Sequence, residues 1–139
     1  MSDPFKLQRF VDAQSRVIDQ VSSELRAGRK RSHWMWYIFP QISGLGSSAT
    51  AQAFAIASLA EARAYLSHPV LGERLRTCTG LVNAIEGRSI EEIFGYPDHL
   101  KFHSSMTLFA RAAPDEAAFQ SALQKFFGGR LDRLTLERL

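Results

Sequence analysis

The chain has 139 residues, 45% of them hydrophobic and 22% charged, with a formal net charge of +3. That length fits one domain able to bury a core without staples, and the composition argues against disorder. A single cysteine, Cys78, excludes an internal disulfide. The N-terminus lacks the apolar stretch of a signal peptide and no run is apolar for long enough to span a bilayer, so a cytoplasmic address is expected, with no membrane partner.

Asp3-Pro4 opens the first predicted helix, an acceptor followed by a residue suited to the first turn. Phe10, Val17, Val21 and Leu25, with Ile18 beside them, recur at helical spacing, and Gly28 supplies a stop. The spacing predicts one helix from Pro4 to Ala27. Arg26, Arg29, Lys30 and Arg31 gather cations at its end, where they favour the negative pole of the helix dipole. No nucleic-acid module accompanies them, so a nucleic-acid partner is not expected.

Ser32 to Phe39 is aromatic and apolar on every side, with no clean period of 2 or 3.6. A short helical turn and a buried strand both fit it. Pro40 ends the run, and Gln41 to Ser48 has loop chemistry. Ala49 to Ala57 extends or coils. Ser58 with Glu61 forms a capping box that opens a helix over Leu59–Ser67. His68-Pro69 breaks it and starts the next, whose stripe is Leu71, Leu75, Cys78, Val82 and Ile85 and whose stop is Gly87. Ser89 with Glu92 caps a short helix ending near Phe94. A turn at Gly95–Asp98 leads into a helix over Asp98–Ala112. Pro114-Asp115 ends that helix and caps the next, Glu116 to Phe127, which Gly128-Gly129 closes. Leu131 to Leu139 forms a last, fraying helix. No strand alternation recurs, so the expected architecture is all-α, a single compact domain of about six or seven short helices spanning residues 1–139.

Three segments could carry chemistry. His33, beside Trp34 and Trp36, has the residue type of an acid, a base or a ligand contact. The plainer reading is a histidine bonded to backbone at the edge of an aromatic core, since no acidic partner stands near it in sequence. The two tryptophans read as core anchors whose indole N–H groups need partners. Gly44-Leu45-Gly46-Ser47-Ser48 could offer backbone N–H groups and hydroxyls to an anion, but lacks the ending of a P-loop and the third glycine of a dinucleotide fingerprint. On the helix after Asp98, Lys101 and Ser104 flank an apolar face on which Ser105 lies. A buried Ser105 is expected to bond the carbonyl four residues back. Lys101 with Ser105 lacks the companions of a Ser–Lys nucleophile pair. His99 and His103 have metal-ligand spacing but no third ligand, so no metal or other cofactor is assigned. Cys78 reads as a core residue.

With those segments in view, the chain resembles the family called domain of unknown function 1810. The resemblance rests on Ser32-His33-Trp34-Met35-Trp36-Tyr37-Ile38-Phe39-Pro40-Gln41, on Gly44-Leu45-Gly46 and on Ser104-Ser105-Met106-Thr107-Leu108-Phe109. Phe10-Val11-Asp12-Ala13-Gln14, Tyr65 to Gly72 and Ile93-Phe94-Gly95 match as well, so it covers nearly the whole chain. It implies a mainly helical bacterial domain with no assigned reaction. It marks His33, Trp34, Trp36, Pro40, Gln41, Gly44, Gly46, Lys101, Ser104 and Ser105, but neither His99 nor His103.

Two classes of function follow. One is a binding or interaction module that holds a protein partner or a small anionic ligand through His33, Trp34, Trp36, Gln41, Gly44, Gly46, Ser48, Lys101, Ser104 and Ser105. The other is an enzyme on a small anionic or nucleotide-like substrate, with His33 as proton carrier, Lys101 as anion contact and the Gly44–Ser48 loop as backbone cradle.

Overall fold

A computed structural model describes residues 2–139. Ten helices follow one another among the described residues: α1 Gln8–Ser15, α2 Ile18–Arg26, α3 Met35–Ile38, α4 Ala49–Ala53, α5 Leu59–Ser67, α6 Leu71–Asn83, α7 Ile90–Phe94, α8 Asp98–Ala112, α9 Ala117–Phe127 and α10 Arg133–Leu136. The architecture is all-α around one hydrophobic core, as expected: six of these helices have eight residues or more, and the other four are single turns of four or five. The aromatic stretch resolves as the helical turn α3, and the only β pairing among the described residues is a single parallel bridge between Ile42 and Ile56.

The largest departure is at the N-terminus. One helix over Pro4–Ala27 is replaced by two, and the first begins only at Gln8. Asp3 is the expected acceptor, but its carboxylate takes the N–H groups of Leu7 at 2.8 Å and Gln8 at 3.0 Å, across an intervening turn. The break falls at Arg16–Val17. There the Ser15 hydroxyl donates back to the Val11 carbonyl at 2.8 Å, a bond that bends helices. Val17 leaves helical geometry at φ −125°, ψ −9°. Periodicity misses this because Phe10, Val21 and Leu25 keep their inward phase on either side of the break and are all buried.

Three other starts differ in their capping chemistry. Ser58 accepts from Glu61 N as predicted, but the Glu61 carboxylate accepts from Ala57 N, one residue before the position a capping box requires. At α6 the His68 Nδ1 accepts from Val70 N and Leu71 N, so the imidazole caps the helix that Pro69 was expected to begin. At α9 the boundary residue is Glu116, not Asp115, and the Glu116 carboxylate pairs with Arg76. Ser89 and Glu92 form the full reciprocal box at α7. Gly28 and Gly128 end α2 and α9 with φ of +81° and +62°, in the region where a side chain is strained.

α8 runs through the middle of the fold. Every residue from Ser104 to Ala110 is buried, and its neighbours are α5, α7, α9 and α10. No helix among the described residues is long and apolar enough to cross a membrane.

Candidate functional site

The segment that carries most candidate residues is held from below by one carboxylate. Glu24 is 4% exposed and lies on the inward face of α2 beside Val21 and Leu25. It accepts from Arg31 N at 2.7 Å, Ser32 N at 3.0 Å, Ser32 Oγ at 2.6 Å, Trp34 Nε1 at 2.9 Å and Gln20 Nε2 at 2.8 Å. Burial pushes its pKa up, but the bonds from the Ser32 side chain, the Arg31 and Ser32 backbone and Gln20 outweigh that and hold it at about 2. Composition alone reads Glu24 as surface. The signal that could have found it is its position three residues after Val21, on the buried stripe.

Trp34 is therefore a core anchor, fully buried with its N–H satisfied. The next turn, α3, is fixed from α1: Gln14 donates to the Tyr37 carbonyl at 2.7 Å and to the Tyr65 hydroxyl at 2.9 Å. The Ile42–Ile56 bridge, through Ser43 N to Ile56 O and Ile56 N to Gln41 O, both 2.8 Å, closes the following loop. Arg9 ties that loop to α1 by donating to the Ala53 and Ala55 carbonyls and to Glu61.

Two clefts, both lined by Phe54, divide the candidates between them. Trp36, Gln41 and Gly46, with Lys101 from α8, line a small cavity walled by Phe39, Pro40 and Ile42. His33 lines the other, an open cleft of about 400 Å³, together with Arg9, Asp12, Arg16, Tyr37 and Phe54. His33 and Lys101 share neither cleft, so they do not converge on one substrate position as the enzyme reading required.

The remaining candidates have other occupations. The Ser48 hydroxyl caps α4 by accepting from Ala51 N at 3.1 Å. Gly44, at φ +96°, has the Arg138 guanidinium packed where a side chain would stand, and Gly46 is pressed against Ala51. Ser104 donates to the Leu100 carbonyl at 3.1 Å and to Asp132 at 2.9 Å, which docks the C-terminal segment. Ser105 was expected to bond the carbonyl four residues back. Its Oγ is buried with no partner among the described residues, and it is Ser104 and Thr107 that make that bond. His99 faces the Gly95 carbonyl and His103 the Arg130 carbonyl, with His103 stacked on Phe127 at 4.0 Å. Among the described residues no three His, Cys, Asp or Glu side chains stand together as a metal site would need. Burial raises the Cys78 thiol to about 11, which leaves it protonated and unreactive at neutral pH.

The His33 cleft holds what sequence inspection could not align. Asp12 stands on α1, remote from His33 in sequence, yet both line it. One Asp12 oxygen accepts from Gln8 at 2.9 Å, and the other has no partner among the described residues. Tyr37 and Phe54 meet edge to face at 4.8 Å, and Phe54 packs on Phe10 at 5.5 Å, giving one wall a rigid aromatic surface. Arg16, the C-cap of α1 and still helical at φ −83°, ψ −20°, lies one turn after Asp12 and so lines the same cleft.

Compared with known proteins, residues 4–139 match the family model described as protein of unknown function (DUF1810), and the chain belongs to that family. It is similar to a solved structure, the conserved hypothetical protein Rv1873 from Mycobacterium tuberculosis, with 60% identity and a TM-score of 0.97. The match covers 99% of this chain and 98% of that one. No curated protein matches the chain.

Proposed function

We propose that this is a ligand-binding domain whose site is the His33 cleft, and that the ligand is a small anion with a flat apolar body and hydroxyl or amino donors. The observation that carries this reading is the company His33 keeps. Its ring and the Arg16 guanidinium are exposed in one concave space of about 400 Å³, next to the Tyr37–Phe54 wall. That volume lies in the range of small-molecule sites, which combine apolar walls with a few directed polar groups. Arg16 offers a fork of donors to a carboxylate or phosphate, and His33 adds a further donor. The other Asp12 oxygen accepts from hydroxyl or amine groups. Nucleotides combine an anion, hydroxyls and a flat ring, which makes them the first class to try.

A second reading, an enzyme, gains support from Asp12. A carboxylate and an imidazole in one cleft are the parts of a general acid–base pair. In that reading His33 carries the proton and Arg16, not Lys101, meets the anion.

Thermal unfolding in the presence of nucleoside monophosphates, dinucleotides and sugar phosphates tests the proposal. A ligand at a hundredfold excess over its dissociation constant adds about 2.7 kcal/mol, several degrees for a domain of this size. Arg16→Ala and His33→Ala should each abolish the shift while leaving the unliganded Tm in place. A shift that survives both substitutions would put the ligand elsewhere, and a flat response across all three classes would remove the ground for a small-anion site.

A further inference from the structure

The small cavity lined by Trp36 and Lys101 carries a separate inference. The Trp36 indole N–H is buried and has no hydrogen-bond partner among the described residues. A buried donor without an acceptor is costly, and the usual explanation is a bound water or ion. Lys101 lines the same cavity, with its ammonium 5.2 Å from the centre of the Trp36 ring. Asp98 Oδ1 forms an ion pair with that ammonium at 3.6 Å, beyond hydrogen-bond distance. Asp98 is engaged elsewhere: its other oxygen takes Lys30 at 2.7 Å. The Lys30–Asp98 pair is neutral as a unit, so the three charged groups together leave one positive charge, at the cavity.

The geometry points to a binding site for a small inorganic anion of halide size, held by the Trp36 N–H and the Lys101 ammonium, in a cavity that Gln41 also lines. Size supports this class. The space open to the centre of a water-sized particle is only about 10 Å³, room for one small occupant. Polarity supports it as well. Indole and ammonium only donate, and the remaining side chains, Met35, Phe39, Pro40 and Ile42 among them, are apolar or nearly so. A water there would have two hydrogens of its own to place, with the Gln41 carbonyl as the only side-chain acceptor. A halide has none. Lys101 is partly exposed, at 23%, and so provides the side by which an ion enters.

The test is thermal unfolding at constant ionic strength, with sodium gluconate replaced stepwise by sodium chloride. The wild-type Tm should rise and saturate. Trp36→Phe, which keeps a ring and removes the N–H, and Lys101→Gln should each lose the saturable part. A Tm indifferent to chloride would overturn the site and leave a water as the occupant. A saturable rise undiminished in both variants would overturn it too. If Trp36→Phe does not fold, chlorine NMR decides: line broadening by the wild type that Lys101→Gln loses supports the site, and broadening that persists refutes it.

Discussion

The indole N–H of Trp34 donates to the Glu24 carboxylate at 2.9 Å, inside a core where both side chains are all but sealed from water. A charge at that depth survives because four further donors converge on it, two of them backbone N–H groups of the loop that leads into α3. Glu24 thereby sets where His33 and Trp36 begin.

That arrangement predicts an acid-sensitive fold. The Glu24 carboxyl is held at about 2, against 4.5 for the free group. A depressed folded-state pKa contributes stability that is fully present above 4.5 and lost as the pH falls toward 2. The contribution at neutral pH is on the order of 3 kcal/mol. Urea unfolding at pH 7 and pH 3 should show wild type losing most of that difference. Glu24→Gln should already lack it at pH 7, with a weaker pH dependence across the window. Equal pH dependence in the two proteins would mean that Glu24 is not the titrating group.

A second prediction concerns the C-terminal segment. Asp132 accepts from Ser104 Oγ at 2.9 Å, Thr135 N at 3.2 Å and Thr135 Oγ1 at 2.6 Å, while its own N–H donates to Thr107 at 2.9 Å. Asp132→Ala removes the cap of α10 and strips the buried Thr135 hydroxyl of its acceptor, at a cost of about 2 kcal/mol. Hydrogen exchange should accelerate across Arg133–Leu136 far more than across α5 or α6. Uniform acceleration would mean that the segment does not open by itself.

The third prediction is at Gly46. A Cβ there would stand 2.5 Å from that of Ala51, closer than two carbons can pack. Gly46→Ala must push α4 away from the loop and should cost about 1–3 kcal/mol by chemical denaturation. Gly46→Ala combined with Ala51→Gly should recover most of the loss. Gly80→Ala is the contrast: nothing lies within 4 Å of a Cβ at that mid-helix position, so it should be neutral or stabilising.

Much of the helical frame was legible in the sequence because its signals are local. The Ser89–Glu92 box, the Gly28 and Gly128 stops and the stripe of α6 each act within a turn or two of the backbone. The break at Arg16–Val17 was not, since a kink that keeps the inward phase leaves the periodicity intact. The candidate site divided in the same way. His33, Trp36, Gln41 and Lys101 were recognisable by residue type, but their grouping depends on chain reversals that no spacing encodes. Asp12 joins His33, and Lys101 joins Trp36, only once α1 and α8 have packed against the segment between them.

The chain holds only two tryptophans, and their surroundings differ in kind. Trp34 has a carboxylate at its nitrogen, with Lys30 5.1 Å from its ring, whereas Trp36 has an N–H with no partner among the described residues and the Lys101 cation above it. Indole emission responds to nearby charge, so the protein carries two built-in optical reporters with separate duties. With Trp36 replaced by Phe, the remaining emission follows the protonation of Glu24. With Trp34 replaced by Phe, it follows whatever enters the cavity beside Lys101. A pair of single-tryptophan proteins would thus read the stability of the scaffold and the occupancy of the cavity independently, without an added label.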